Sequence, residues 1–463
     1  MIDVWRPPSA DKGVSSVRLG SVRKPVPREI PATPSTTKPA HRERLLSAMT
    51  DAIGDHGYQA TTVARVISYA GVSRATFYEH FKDRDDCFET ALRGASTQLS
   101  RRFRKQAKPP GDTSAIRPAL QDLLTGLAKN PAAGALLFIA AREATPTEEN
   151  PLLGELERLM STHRSRARKP AFDISPIALL GGIGTVISSH LTDNASDQLP
   201  GLLDDLVAWA NSHLVDGSQS QWSTTPQAAL SEVPAIDPAL IVSPTPSRPE
   251  LLPRGRHGLP ESVVTRNHRN RVLYAVAETA AANGYSASTV AGLAASASIA
   301  RQSFYDHFTD KEAAALQAQR LIYRHSLTGS SAAYFTGNAW PERVWRSLLY
   351  LTTLIAQAPA HAHLAIIEPY AIGQAAIQNL NDTLAGYAVI LEEGYHQTND
   401  SRSPPRLYSQ AAIGAIFEVI RHHIAHGNTA ALPKHLPELT YLAIAPFLGA
   451  PAAGKLVSEI ANA

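Results

Sequence analysis

Apolar residues recur at helical spacing along most of this chain, and polar residues fill the positions between them. From Arg44 to His56, Leu45, Leu46, Met49 and Ile53 fall on one face, while Arg44, Thr50 and Asp51 lie away from it. That pattern predicts an amphipathic helix. Gly57-Tyr58 stops it. Thr62 is a good N-cap for a short second helix carrying Val63, Val66 and Ile67. Ala70-Gly71 predicts a tight turn, because glycine adopts the positive φ that other residues resist. Ser73 then caps a very short third helix ending near His80-Phe81, with Phe77 and Phe81 at core positions. Helical spacing continues over 85–105, 120–127, 135–144, 152–160, 178–191 and 202–214, with Pro and Gly between segments. Strand signal is nearly missing, so the pattern predicts an all-α fold.

The same pattern then begins again. TTVARVISYAGVSRATFYEHF, starting at Thr61, aligns without a gap with STVAGLAASASIARQSFYDHF, starting at Ser288. Gly57-Tyr58 matches Gly284-Tyr285 and Phe77-Tyr78 matches Phe304-Tyr305. Register holds over about 45 residues, the signature of an internal repeat. ALLGGIGTVISSHL from Ala178 also pairs with AAIGAIFEVIRHHI from Ala411, which extends the duplication to a whole unit. The predicted organisation is a Pro-rich basic arm at 1–40, a first head at 41–90 and a first helical bundle at 91–215. A Pro-rich linker at 216–265 leads to a second head at 266–316 and a second bundle at 317–463. As a flexible coil such a linker averages about 40 Å end to end.

Composition narrows the function classes. Of 463 residues, 44% are hydrophobic and 18% charged, the balance of an ordinary globular protein. The net charge is only +3, so affinity for nucleic acid has to come from local patches. A lone cysteine, Cys87, excludes an internal disulfide framework and fits a reducing cytoplasm. No run of about 18 apolar residues would span a membrane, and the N-terminus lacks the apolar core of an export signal. A cytoplasmic, nucleoid-associated location is expected. The arm carries Arg6, Lys12, Arg18, Arg23, Lys24, Arg28 and Lys38 against three acids. It reads equally as a minor-groove contact or as a solvated tail.

Two short helices joined by a glycine-bearing turn make a helix-turn-helix, whose second helix enters the major groove. In the first copy its base-facing residues are Arg74, Ala75 and Thr76. Arginine can bridge guanine O6 and N7, while Ala75 and the Thr76 methyl suit a thymine methyl. Tyr78 and His80 flank the helix and suit phosphate oxygens, and Thr62 and Ser73 at the helix starts complete the DNA-facing set. The second copy offers Arg301, Gln302 and Ser303 to the bases, with Tyr305 and His307 on the flank and Thr289 at a helix start. Gln302 can read adenine bidentately, so two related but non-identical half-sites are expected. In this copy Ser298 replaces Gly71 in the turn and Ala300 replaces the capping Ser73, a loss worth about 0.5–2 kcal/mol.

The ordered string Gly-Tyr, Thr-Val, Ala-Gly-Val-Ser, Phe-Tyr-x-His-Phe resembles the DNA-binding head of the tetracycline-repressor (TetR) family. The resemblance implies two TetR-like units, each a three-helix head followed by a helical ligand-binding and dimerisation bundle. It also places a phosphate-contacting cation at the start of the fourth helix, at Arg84 and Lys311. The last two helices of each unit, 178–191 with 202–214 and 411–426 with 435–448, would pair as a four-helix bundle inside one chain. Such an intrachain pseudo-dimer would hold its heads one DNA turn, about 34 Å, apart. A further homodimer would present four heads. The family's bundles take small-molecule effectors. The second bundle offers Trp340, Trp345, Tyr350, His361, His363, Glu368 and Tyr370 for that purpose, and the first offers Phe138, Arg142 and Glu143. The implied function is a transcriptional repressor with double-stranded DNA and an effector as partners, and no cofactor or metal. The alternative is a helical protein-interaction module whose heads have lost DNA binding.

Other motifs carry less. Two of His422, His423 and His426 could share a helix face, but no Cys or nearby acid completes a zinc site, and a polar interface is the plainer reading. Gly449-x4-Gly454-Lys455 has the glycine spacing of a phosphate loop, yet Leu456 stands where a Ser or Thr is needed and no strand precedes it. No nucleophile and base share a strand-turn-helix context, so no enzymatic activity is expected.

Overall fold

The computed structural model describes residues 38–106, 116–143, 174–214, 248–253, 258–397 and 405–462, and every regular element among them is helical. Most of the basic arm, most of the 216–260 linker and the helix expected over 152–160 lie outside the described residues.

The first head is α1 (Lys38–His56), α2 (Val63–Ala70) and α3 (Arg74–Tyr78), continued by α4 (Arg84–Gln106). α1 begins before its apolar stripe, inside the stretch read as arm. Pro39 fits there because the first turn has no helical partner for the N–H that proline lacks. Gly57 ends α1 at φ 75°. Leu45, Met49 and Ile53 of α1 meet Val66, Phe77 and Phe88 in one small core. The caps form as the sequence predicts: Arg65 N–H donates to the Thr62 hydroxyl, and Thr76 N–H to the Ser73 hydroxyl.

The first bundle comprises α5 (Ile116–Lys129), α6 (Pro131–Gly134), a π-helical turn Ala135–Ala140, α7 (Ala141–Glu143), α8 (Pro176–Thr192) and α9 (Leu203–Leu214). Leu136 and Ala140 of the π-turn enter the core of the first head, while Phe138 packs into the bundle. One turn thus ties head to bundle.

The second unit repeats this plan. Its head is α10 (Glu261–Asn283), α11 (Val290–Ser296) and α12 (Arg301–Tyr305). α10 starts inside the stretch read as linker; Pro260 precedes it, and the acidic Glu261 suits the positive end of the helix dipole. The second bundle comprises α13 (Lys311–Tyr334), α14 (Trp340–Gln357), α15 (Pro359–Ile366), α16 (Pro369–Ile372), α17 (Gln374–Glu392), α18 (Leu407–Ala425), α19 (Leu436–Leu448) and α20 (Ala450–Asn462). Val276, Leu293, Phe304 and Phe308 form the head core, closed from the bundle side by Leu364, Ile372 and Ala376.

The two units meet along α8 and α18, where small residues bring the backbones close. A Cβ on Gly414 would fall 2.3 Å from the Thr185 hydroxyl, and one on Gly181 would fall 2.5 Å from the Glu418 Cβ. Trp209 of α9 is fully buried against Gly182 and lies edge-on to His213, at 4.9 Å between ring centres. His213 in turn lies 5.9 Å from Tyr441 of α19, and its Nδ1–H donates to the Trp209 carbonyl at 2.9 Å. Burial pushes the His213 imidazole down to about 4, so it sits in this contact uncharged. Charge enters the seam elsewhere. Arg142 of α7 reaches Glu418 of α18 at 2.8 Å, and Arg421 holds the other carboxylate oxygen at 2.8 Å. Among the described residues no single helix is long and apolar enough to cross a membrane.

Candidate nucleic-acid interface and effector cavity

Each recognition helix is only five residues long and is anchored by one buried ring, Phe77 in α3 and Phe304 in α12. That anchor turns Arg74, Ala75 and Tyr78 outward in the first head, and Arg301, Gln302 and Tyr305 outward in the second. The Arg74 guanidinium lies 5.8 Å from the Tyr78 ring centre, and Arg301 lies 5.9 Å from Tyr305. The heads therefore present the same cation–aromatic surface and differ beside it, at Ala75 against Gln302. Thr76 and Ser303 are half-buried, and the Thr76 hydroxyl is engaged with Ser73 at 2.9 Å. Thr62 and Thr289 are exposed caps at the starts of α2 and α11.

The turns before these helices explain how the second copy tolerates its departures. Gly71 sits at φ 60° and Ser298 at φ 49°, so a serine occupies the left-handed region. Arg271 holds the Ser298 carbonyl at 3.1 Å, which secures the turn from beneath. Ala300, unlike Ser73, makes no side-chain cap bond. Replacing Ser298 with glycine should therefore stabilise the second head by about 1 kcal/mol, since a side chain in this region costs about that much. Hydrogen exchange of α11 and α12 amides reads this locally. Unchanged protection would show that Arg271 already removes the strain.

The phosphate set is less uniform. His80 is half-buried beside Phe81 with its Nε2 enclosed by protein, so it does not offer that nitrogen to a phosphate as expected. His307 is half-buried, with its ring 6.3 Å from that of His268. Arg84 lies 4.4 Å over the Tyr58 ring and donates to the Tyr58 hydroxyl at 3.1 Å and to Asp85 at 2.7 Å. Lys311 lies 4.4 Å over the equivalent Tyr285 ring and donates to the Ser288 carbonyl at 2.9 Å. Both cations are thus docked on the tyrosine that follows the stop glycine of their head. The Gly-Tyr pair in the sequence was the only signal of that contact.

A cavity of about 460 Å³ lies in the second bundle between α13, α14, α15, α17 and α18. Of the residues named above as effector candidates, Tyr350 and His361 line it. The remaining candidates stand elsewhere. Trp340 and Trp345 are buried in the core shared by the two units. His363 pairs with Glu368 at 3.1 Å, and the other Glu368 oxygen accepts the Tyr285 N–H of the second head at 3.1 Å. The Tyr370 carbonyl accepts from Gln59 of the first head at 2.9 Å. In the first bundle Phe138 packs against Gly184, Arg142 is committed to Glu418, and the Glu143 side chain lies outside the described residues. Helical spacing marks which residues share a face, but not which face looks onto a gap. For the same reason the sequence did not single out His325, Ser347, Thr383 and Tyr387, which line the cavity from three helices far apart in the chain. The histidines of α18 form a stack at a helix end: His422 lies 4.1 Å from His426, and His423 lies 4.3 Å from His435, between ring centres.

The profile of the family described as "Bacterial regulatory proteins, tetR family" matches residues 45–91 and again 272–318. The HTH-type transcriptional regulator BetI of Klebsiella pneumoniae (strain 342) is 33% identical over 79 residues, which is 17% of this chain and 40% of BetI. The chain therefore spans well under half the length of that curated relative. Two solved structures also align. The fatty acid degradation regulator FadR from Bacillus halodurans is 17% identical, covering 38% of this chain and 94% of its own, with a TM-score of 0.34. FadR from Bacillus subtilis in complex with stearoyl-CoA is 18% identical, covering 38% of this chain and 96% of its own, with the same TM-score of 0.34. With the head motif matched twice, in register and in both copies of an all-α repeat, the chain is a tandem duplication that carries two heads of the tetR family of bacterial regulatory proteins.

Proposed function

We propose that this chain is a sequence-specific DNA-binding transcriptional repressor that reads one pseudo-palindromic operator through its own two heads. The observation that carries the reading is the repeated exposed pair, Arg74 over Tyr78 and Arg301 over Tyr305, on two recognition helices of the same construction. Arginine can read guanine in both half-sites, and the change from Ala75 to Gln302 makes the half-sites differ at a neighbouring base. The close seam of α8 and α18 supports an intrachain pseudo-dimer in which one chain does the work of two. The effector occupies the second-bundle cavity, and its binding lowers operator affinity through differential affinity for two arrangements of the chain. Residues 368–370 are suited to carry that change. They follow the cavity-lining Ala365 and Ile366 and touch the second head through Glu368 and the first through Tyr370. Such a regulator acts in the cytoplasm on chromosomal DNA.

Selection from a random duplex pool, followed by a salt titration on the winning sequence, tests this. The expected result is a site of two related, unequal halves, with log Kobs falling against log salt at a slope of about −5 or steeper. Failure to enrich any sequence, with little salt dependence, would return the chain to the protein-interaction reading.

A further inference from the structure

The cavity wall has an unusual charge balance for its size. Among the described residues no Asp, Glu or Lys lines it, and its one cationic side chain, Arg324, is exposed to solvent. Apart from Arg324 and the exposed Asn270, the polar side chains of the wall carry hydroxyls or imidazoles. Tyr350 and His325 are joined at 3.3 Å between hydroxyl and Nε2, and Tyr387 is backed by the buried Ser330, behind the wall, at 3.2 Å between hydroxyls. Gly329 fixes the first pair in place. A Cβ there would fall 2.0 Å from the Tyr350 ring, so only glycine lets that phenol lie against α13. Most of the rest of the wall is aliphatic, with Leu348, Leu380 and Ile416 among its residues.

On this geometry, and resting on the effector role assigned above to the cavity, we propose that it binds an uncharged, mainly aliphatic molecule through one hydroxyl or carbonyl group held by Tyr350 and His325. Burial keeps the site neutral. It pushes His361 down to about 4 and His325 below its ordinary value, so both imidazoles lack a proton charge at neutral pH. The same burial raises Tyr350, and it raises Tyr387 to about 12, so both phenols keep their protons. An ion entering such a wall sheds its hydration and meets no counter-charge, whereas a hydroxyl exchanges water for the Tyr350–His325 pair at little cost. Because the imidazole can present either tautomer, the pair can serve a donor or an acceptor on the ligand.

Calorimetric binding of dodecan-1-ol, dodecanoate and dodecylamine to the full chain separates charge from hydrocarbon, since the three share one tail. Dodecan-1-ol is expected to bind, and both ions to bind at least tenfold more weakly. Tyr350→Phe keeps the ring and should weaken dodecan-1-ol about three- to tenfold, the worth of one neutral hydrogen bond. Arg324→Gln should leave dodecan-1-ol binding unchanged. Tighter binding of either ion, binding of none of the three, or an anion preference lost in Arg324→Gln would each overturn the proposal. Ile366→Trp, which fills the cavity, should abolish binding, with its thermal melt confirming a folded chain. Binding that survives it places the alcohol elsewhere and equally overturns the proposal. Operator release by bound dodecan-1-ol is read separately. Binding without release would leave this ligand class standing and remove the effector role.

Discussion

Replacing Glu418 with alanine is expected to destabilise the chain by about 3–5 kcal/mol, the usual cost of removing one partner from a buried ion pair. Glu418 is the one carboxylate among two guanidinium groups, with Arg142 at 2.8 Å and Arg421 at 2.8 Å, and it is 5% exposed. Alanine would leave both cations inside the seam without a counter-ion. Burial alone disfavours the charged carboxylate, but Arg421 and Arg142 outweigh it and hold the Glu418 carboxyl below its usual range. The pH dependence follows from that direction. A depressed carboxyl contributes stability above the unfolded value of about 4.3, and that stability is lost as the pH falls through the lower folded value. Urea denaturation of wild type and Glu418→Ala at neutral pH, repeated toward acid, measures both effects. A loss within 1 kcal/mol at neutral pH would show that water or relaxed side chains already satisfy the arginines.

How much of this was legible beforehand depends on the range of the interaction. The heads were readable almost residue by residue, because their determinants are local. Thr62 and Ser73 cap their own helices, Gly71 turns its own loop, and Phe77 is buried by the face it shares with its neighbours. The fold class and the duplication followed from periodicity and register in the same way. Long-range partners were not legible. Arg142 looked like a pocket residue because an arginine beside an apolar run suits either role, and only the approach of α18 decides between them. Glu368 and Tyr370 suit a ligand by residue type, whereas the Glu368 carboxylate accepts from the second head and the Tyr370 backbone carbonyl accepts from the first. The helix starts at Lys38 and Glu261 were hidden because polar first turns carry no apolar stripe.

The second large effect falls on DNA. Arg74→Ala should weaken operator binding by about 1–3 kcal/mol, roughly fivefold to a hundredfold or more, and relax the sequence preference in one half-site. Arg301→Ala should do the same in the other half-site. Both are exposed, and their near-identical 5.8 Å and 5.9 Å distances to tyrosine argue for comparable losses from the two heads. Reselection from a random pool with each variant locates the affected bases. Should only Arg74→Ala matter, the second head would be structural, and two chains would be needed to read one operator. Both variants should keep wild-type melting behaviour, because neither side chain is part of a core.

The seam between the units has one more consequence. In a symmetric homodimer each surface must complement itself, so every contact across the axis occurs twice. Here Glu418 occupies on α18 the position that Thr185 occupies on α8, and each faces the glycine of the opposite helix. Two copies of α18 would bury two Glu418 carboxylates in one seam, each with its own Arg421 but without an Arg142. Two copies of α8 would leave Arg142 with the Thr185 hydroxyl but no carboxylate. Each half is therefore a worse match for itself than for its neighbour. Cut at the linker, the halves should assort as a heterodimer, and a mutation on one side of the seam can drift without its twin having to follow.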